Sequence, residues 1–160
     1  VKKIEKSLHI KKTCKENRKN HTYKKLTQIT QAPHRIVSPY GDRVHPITKV
    51  KTFHNGIDIA KPTGTAITAH ADGVVSQIYV HATGGLTMIY DGNDKIQLRM
   101  CHLHTVLKKQ GDKVKAGEVI ATVGGDPKDQ PNAGRSTGAH LHLGIINKGV
   151  RVHPLTVFSL

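Results

Sequence analysis

The chain from about Pro33 onward consists of short apolar runs in which hydrophobic and polar residues often alternate, separated by glycine-containing turns. This pattern is typical of a β-dominated domain. We predict strands at residues 57–60, 66–69, 74–80, 86–90, 96–103, 119–123 and 140–146. The sequence therefore predicts a mainly β fold, a compact antiparallel β-sheet domain with long loops.

One turn is especially well marked. Asp91, Gly92, Asn93 and Asp94 lie between two of the predicted strands, and residues of these types tolerate the positive φ angles that tight hairpins need. We expect the strands on either side to be antiparallel neighbours. Residues 126–133, which are rich in proline and polar residues, predict a surface loop just before the last strand.

Charge separates the chain into two parts. Of its 160 residues, 25 are Lys or Arg and 11 are Asp or Glu, which gives a formal charge of +14. Eleven of the basic residues fall within residues 1–35, together with only two acidic ones. We therefore predict a basic N-terminal extension over residues 1–32 and one folded domain over residues 33–160.

The basic extension has two interpretations. It is either a solvated, solubilising tail or a segment that attracts polyanions such as nucleic acids, anionic lipids or wall polymers. No window approaches the ~18 apolar residues of a membrane helix, and lysines interrupt any stretch that could serve as a signal peptide. We expect neither a transmembrane segment nor a signal peptide in these residues, and we expect a monomer.

The two cysteines, Cys14 and Cys101, do not form the closely spaced, even-numbered set of a disulfide scaffold. We predict that both are free thiols. A nucleophilic pair of Cys101 with His102 is an alternative, but adjacent residues of a strand point to opposite faces, which argues against it.

Chemistry is most evident in the histidines, of which the chain has twelve. In the last predicted strand, His140 and His142 share one face and Leu141 lies on the other. By the same two-residue period, His102 follows Ile96, Leu98 and Met100 in an apolar row. We expect an imidazole at the end of that row.

A third element is the segment from His54 to Asp58, where Gly56 lets the chain turn so that an imidazole and a carboxylate converge. Zinc accepts His nitrogen and Asp oxygen at about 2.0–2.2 Å, and a catalytic zinc keeps three protein ligands and a water. His54, Asp58 and one histidine of the final pair satisfy that count.

Together with the glycine pattern, these motifs resemble the lysostaphin-type (LytM-like) zinc endopeptidases, whose marks are His-x-x-x-Asp early and His-x-His late. The resemblance covers about residues 38–155. Segments similar to the family occur in the same order at residues 41–46, 53–60, 62–67, 71–75, 101–103, 111–117 and 136–142.

The resemblance implies a LytM-like β domain of the duplicated hybrid motif type with one Zn²⁺ per chain. It implies that His54, Asp58 and His142 are the metal ligands and that His102 and His140 are unliganded catalytic histidines. Where the family usually has Tyr two residues before the first catalytic histidine and an aromatic residue after the last ligand, this chain has Met100 and Leu143. These departures bear on substrate preference more than on activity.

The expected reaction is hydrolysis of peptide cross-links or stem peptides of bacterial peptidoglycan by a metal-activated water. No glutamate lies beside a candidate ligand, so His102 and His140 are expected to carry the proton and stabilise the oxyanion. His104 is a weaker candidate for the site. Arg43 and His45 are candidates for substrate binding, Arg43 through its fork of donors or, alternatively, as part of a structural ion pair.

Two other functions are open. The chain could be an inactive relative that binds cell wall or activates a hydrolase, although all ligands and both spare histidines are present. A nucleic-acid-binding protein is the other, but four Tyr, two Phe and no Trp give little stacking surface, so no specific nucleic acid is expected. The expected place of action is the cell wall, either extracellular or periplasmic, or as a phage virion or lysis enzyme, with anionic wall polymers as partners of the tail.

Overall fold

The computed structural model describes residues 24–44 and 48–160, and β-strands dominate this part of the chain. Two single-turn 3-10 helices, Leu26–Gln28 and Pro154–Thr156, are its only helical elements. The described strands in chain order are β1 Lys24–Lys25, β2 Arg35–Ser38, β3 Gly41–Val44, β4 Lys51–His54, β5 Ile57–Ala60, β6 Ala66–Thr68, β7 Gly73–His81, β8 Gly85–Gly92, β9 Ile96–Cys101, β10 Leu103–Val106, β11 Lys113–Val114, β12 Val119–Val123, β13 His140–Asn147, β14 Val150–Val152 and β15 Phe158–Ser159.

The main sheet is antiparallel and has the order β11-β7-β8-β9-β13-β5-β2, with β14 added beside the C-terminal part of β13. Its centre is the run β7-β8-β9, whose second connection is the predicted hairpin at residues 91–94. Met88 pairs with Met100 and Asp91 with Gln97 across this hairpin. The predicted hairpin and the mainly β, antiparallel fold class are confirmed.

A smaller sheet of order β10-β12-β6 supplies the other side of the core. Ile67, Ile120 and Val123 from this sheet form one buried cluster with the inward-facing residues of the main sheet. Burying such aliphatic side chains is the main source of stability for a domain of this size. The core therefore lies on one face of the main sheet and leaves the opposite face free for other uses.

Strand alternation places polar groups on that opposite face. In β13, Leu141 and Leu143 have no exposed surface, whereas His140 and His142, which alternate with them, are half-buried. In the neighbouring strand β5, Ile57 and Ile59 are buried in the core and Asp58 points the other way. The predicted separation of the faces of the last strand is confirmed.

Residues 24–33 pack onto the rest of the domain. Leu26 and Ile29 are both 0% exposed and belong to the core, and β1 pairs in parallel with β15 near the C-terminus. The amine of Lys61 donates hydrogen bonds to the carbonyls of Gln31 and Pro33. The division after residue 32 stays a prediction, but residues 24–33 contact the domain closely. Residues 1–23, including Cys14, lie outside the described part of the chain.

A buried polar network ties this segment to the β8–β9 hairpin. The imidazole Nε2 of His70 contacts the carboxylate of Asp94 at 3.0 Å, and Asp94 also forms a 2.8 Å ion pair with Lys24. The His70 ring lies edge-on against Tyr90 and Phe158. Burial lowers the pKa of His70 and outweighs the opposite effect of Asp94, so the imidazole is held neutral.

No helix among the described residues is long and apolar enough to cross a membrane.

Candidate metal centre and active site

A cleft of about 580 Å³ opens on the face of the main sheet opposite the core. The pairing of β5 with β13 puts Asp58 directly across from His142, and β13 places His140 two residues earlier on the same face. The cleft brings together nearly all of the candidate residues predicted from the sequence: Arg43, His54, Asp58, His102, His140 and His142.

His54 reaches the cleft from a separate hairpin. β3 and β4 pair with each other, and His54 is the last residue of β4. The chain then passes so close to β13 that a Cβ atom on Gly56 would lie 2.4 Å from the carbonyl oxygen of Leu143 and 3.0 Å from Cε1 of His142. Glycine at this position is therefore required for close approach, a more specific reason than the turn inferred from the sequence.

Three side chains offer ligand atoms to a common point. Nε2 of His54 lies 3.2 Å from Nδ1 of His142 and 3.3 Å from Oδ1 of Asp58, and the latter two atoms are 2.9 Å apart. Ligands about 2.0–2.1 Å from a tetrahedral zinc are separated from one another by about 3.3 Å. Two imidazole nitrogens and one carboxylate oxygen at these separations fit a zinc ion.

Neighbouring groups orient these three donors. Nδ1 of His54 donates a hydrogen bond to the carbonyl of Pro39 at 2.8 Å, which leaves the lone pair of Nε2 facing the cleft. Burial alone raises the pKa of the Asp58 carboxyl, but its hydrogen bonds to His142 and His54 and their electrostatic attraction outweigh burial and hold that pKa well below its usual range. Asp58 is therefore a carboxylate, the form that binds metal.

His102 reaches the cleft through an irregularity that its sequence position does not indicate. Ile96, Leu98 and Met100 point into the core, so a regular strand would send His102 there too. Instead β9 ends at Cys101, and His102 has a φ of 58° before β10 begins. This break turns His102 outward. The prediction that His102 continues the face of the apolar row is wrong, although its place in the cleft agrees with its expected role.

The two spare histidines have the same hydrogen-bonding arrangement. Nδ1 of His102 donates to the carbonyl of Ala133 at 2.6 Å, and Nδ1 of His140 donates to the carbonyl of Gly138 at 2.9 Å. In both rings Nε2 is then the basic nitrogen. The ring centroids are 4.8 Å apart, and Nε2 of His140 lies 3.9 Å from Oδ1 of Asp58.

The charge state of His102 follows from its surroundings. Burial lowers its pKa, and the nearby imidazoles of His140 and His142 lower it further, whereas the hydrogen bond to Ala133 has the opposite effect. The net result is a pKa below that of a free imidazole. His102 is therefore neutral and able to accept a proton near pH 7.

Cys101 also lines the cleft: it lies opposite His142 on the outward face of β9, and the break at the next residue brings His102 to the same cleft. Cys101 is a free thiol, as predicted. Burial raises its pKa, so the sulfur is protonated rather than a reactive thiolate. The strand-parity argument against a Cys101–His102 pair does not hold at this break, but the raised pKa disfavours a nucleophilic cysteine here.

The other candidates differ in their positions. Arg43 lines the cleft and donates to the hydroxyl of Ser38 at 2.8 Å, with no acidic partner among the described residues. His45 falls in the gap between the two described ranges. His104 is exposed, with Nδ1 2.9 Å from the hydroxyl of Thr105, and is absent from the cleft lining. Arg135, which is not among the residues predicted from the sequence, lines the cleft one residue before the final motif begins.

Comparison with known proteins agrees with this geometry. The model of Peptidase family M23 matches residues 52–154. DD-carboxypeptidase/endopeptidase Mpg of Neisseria meningitidis is 40% identical over 124 residues, which cover 77% of this chain and 27% of that protein.

The chain is also similar to solved structures of peptidases. A zinc containing peptidase from Vibrio cholerae has a TM-score of 0.67 at 31% identity and covers 78% of this chain and 37% of its own. The catalytic domain of lysostaphin from Staphylococcus simulans has a TM-score of 0.63 at 25% identity, covering 77% of this chain and 90% of its own. The chain thus spans only about a quarter of the length of the Neisseria protein.

Proposed function

The chain belongs to peptidase family M23, and on that premise we propose that it is a zinc-dependent endopeptidase that hydrolyses peptide bonds of bacterial peptidoglycan. The resemblance to lysostaphin-type metallopeptidases is thereby confirmed at the level of the family. The proposed substrate, peptidoglycan, is supported by the names of longer relatives, which include DD-endopeptidases that act on peptidoglycan. The place of action that we propose is accordingly the bacterial cell wall.

The observation that carries the proposal is the juxtaposition of two sets of groups in one cleft. Donor atoms of His54, Asp58 and His142 lie within 3.3 Å of one another, and His140 and His102 stand beside them without contributing to that set. We assign the first three as ligands of a single zinc ion. When bound, zinc supplies a Lewis acid that polarises a peptide carbonyl and makes water a better nucleophile near neutral pH.

The chain's own residues perform the proton transfers in this proposal. His102 and His140 each have a basic Nε2, because each Nδ1 is engaged with a backbone carbonyl. We assign to this pair the removal of a proton from the attacking water and its return to the leaving amine. A protonated imidazole of the same pair stabilises negative charge on the tetrahedral oxygen.

Among the described residues, no carboxylate outside the proposed ligand set lines the cleft, where it could act as a general base. Glu118, the single glutamate of the described ranges, forms a 2.7 Å ion pair with Lys108 and is absent from the cleft lining. Asp58 is the one acidic residue in that lining, and it belongs to the ligand set. Both facts support the assignment of acid–base work to histidines.

Digestion of defined peptidoglycans tests the proposal. Zinc-loaded protein should release peptide fragments whose masses identify the cleaved bond, chelation should stop the release, and added zinc should restore it. His142→Ala should release nothing, and His104→Ala, which changes an exposed histidine outside the cleft, is the matched control. A zinc-loaded wild type that binds walls but cleaves none of them would instead indicate an inactive wall-binding relative.

A further inference from the structure

A second, smaller cleft lies on the same face of the main sheet, beside the proposed zinc site. Its volume is about 150 Å³, and it shares the side chains of Cys101 and His142 with the larger cleft. Arg99 and Arg151 line it, and no described residue of its lining is acidic. A substrate extending from the zinc site along this face would therefore meet positive charge.

Arg99 is held in position by a chain of side chains. Its Nε donates to Oε1 of Gln97 at 2.9 Å, and Nε2 of Gln97 donates to Oδ1 of Asp91 at 2.6 Å. The two terminal nitrogens of Arg99 have no partner among the described residues. A guanidinium with a fixed plane and free terminal N–H groups loses little conformational freedom when it binds a planar anion.

Gly144 places no side chain opposite Arg99. It pairs directly with Arg99 across β13 and β9, and strand alternation puts it on the same face as His142. A Cβ atom at position 144 would lie 3.6 Å from Cβ of Arg99 and 3.3 Å from the carbonyl of Asn55, inside the space between them. Arg99 therefore has no opposing side chain at position 144, where the backbone carbonyl of Asn55 lies close to the glycine.

We propose that this smaller cleft, the Arg99 subsite, binds a free carboxylate of the substrate residue next to the scissile bond. The inference rests on the proposed endopeptidase function. A carboxylate matches the fork of a guanidinium with two parallel hydrogen bonds, which a neutral amide cannot do. Arg43 and Arg135 in the main cleft add to the attractive field.

The proposal defines a substrate class. Stem peptides of peptidoglycan carry free carboxylates near their cross-links, whereas bridges made only of glycine carry none within the bridge. The Arg99 subsite therefore favours a stem-peptide bond whose neighbouring residue is ionised, and amidation of that carboxylate should weaken binding.

Two soluble cross-linked stem peptides test this subsite. They share one scissile bond and differ in that the neighbouring carboxylate is free in one and amidated in the other. Zinc-loaded wild type should cleave the free form with a kcat/KM about 10-fold or more above that of the amidated form, mainly through KM. Arg99→Gln should bring this ratio close to 1, and Arg99→Lys, which keeps the charge but not the fork, should give an intermediate ratio.

Lys113→Gln is the matched control, because it removes one exposed positive charge from edge strand β11, which β7 and β8 separate from β9, and it should leave the ratio as in wild type. A wild type that cleaves both peptides equally well, or an Arg99→Gln variant that keeps the wild-type ratio, overturns the subsite while leaving the endopeptidase proposal intact. If the zinc-loaded wild type cleaves none of three substrates, the two stem peptides and a glycine-bridged peptide, the endopeptidase function is overturned and the subsite with it.

Discussion

Nδ1 of His102 donates a 2.6 Å hydrogen bond to the backbone carbonyl of Ala133. This contact connects a proposed catalytic histidine on one side of the cleft to the long loop that precedes β13. The loop is itself held by Gln130, whose Nε2 donates to the carbonyl of Leu103 at 2.8 Å and whose Oε1 accepts from the amide of Gly125 at 3.2 Å. The loop therefore determines which nitrogen of His102 is basic.

Replacing Gln130 should affect both stability and turnover. Gln130→Ala leaves buried backbone groups without partners and should lower the free energy of unfolding by about 1–3 kcal/mol. The loop should then hold Ala133 less firmly, so kcat should fall while zinc content stays the same. Denaturant unfolding, turnover and metal analysis measure the three effects. Gln110→Ala, at an exposed glutamine, is the control, and an unaltered kcat in Gln130→Ala would contradict the positioning role.

Zinc stoichiometry tests the ligand set. The wild type should bind close to one zinc per chain, and His142→Ala should lose it, because two remaining donors hold zinc much less tightly than three. Elemental analysis after dialysis gives the ratio directly. His104→Ala should retain the wild-type ratio. Full zinc retention in His142→Ala would remove that residue from the ligand set.

The histidine pair should separate catalysis from metal binding. His102→Ala and His140→Ala should each lower kcat by about 10²–10⁴-fold, the range for lost acid–base catalysis, while keeping zinc. Single-turnover kinetics on a soluble peptide and metal analysis of the same samples make the comparison. Near wild-type turnover in both variants would exclude the proposed proton transfers.

Truncation should show where the folded domain begins. Removal of residues 1–23 should leave thermal stability unaltered if the domain starts near Lys24, whereas removal of residues 1–32 also deletes Leu26 and Ile29 from the core. The loss of even one such side chain, as in Leu26→Ala, should cost about 2–5 kcal/mol. Thermal and denaturant unfolding of the full chain, the two truncated forms and Leu26→Ala provide the test. Equal stability of both truncated forms would place residues 24–32 outside the cooperative unit.

His70 should make stability depend on pH. Its pKa is lowered in the folded state, so the unfolded chain binds more protons once the pH falls through its own value of about 6.5. The free energy of unfolding should therefore decrease from that pH downward until His70 protonates in the folded state too. Urea unfolding from pH 8 to 5 should show a smaller slope in His70→Gln than in wild type. His104→Gln, at an exposed position, should keep the wild-type slope.

Local pattern predicted several strands well. β5 and β12 begin and end where the sequence placed them, because both have apolar residues bounded by polar and glycine residues. The predicted hairpin after residue 91 formed, although the positive φ of its turn lies at Lys95 and not at residues 91–94. Such features depend on neighbours in sequence and are therefore visible without a structure.

Elements with little apolar content escaped prediction. β3 and β4 are mostly exposed, so no alternation of buried apolar residues marks them in the sequence. Leu26 and Ile29 belong to the core but lie in a lysine-rich stretch whose charge dominated the interpretation. Composition over a window does not reveal single side chains that anchor a charged segment.

The proposed metal donors were predictable as residue types at characteristic spacings, and the structure brings them together. Arg99 and Gly144 were not, because their proximity arises from cross-strand register between β9 and β13. Register joins positions far apart in the chain, and one sequence alone gives no measure of it. The break at His102 was missed for a different reason, since a positive φ at a histidine has no local sequence mark.

That φ of 58° at His102 sets the proposed proton transfer against stability within one residue. A left-handed backbone costs a non-glycine residue about 1–2 kcal/mol, and asparagine or glycine bears it more easily than histidine. Selection for a more heat-resistant domain would favour those residues here, at the expense of the proposed proton carrier. An engineer seeking both properties should therefore look for stabilising changes elsewhere and keep the strained histidine.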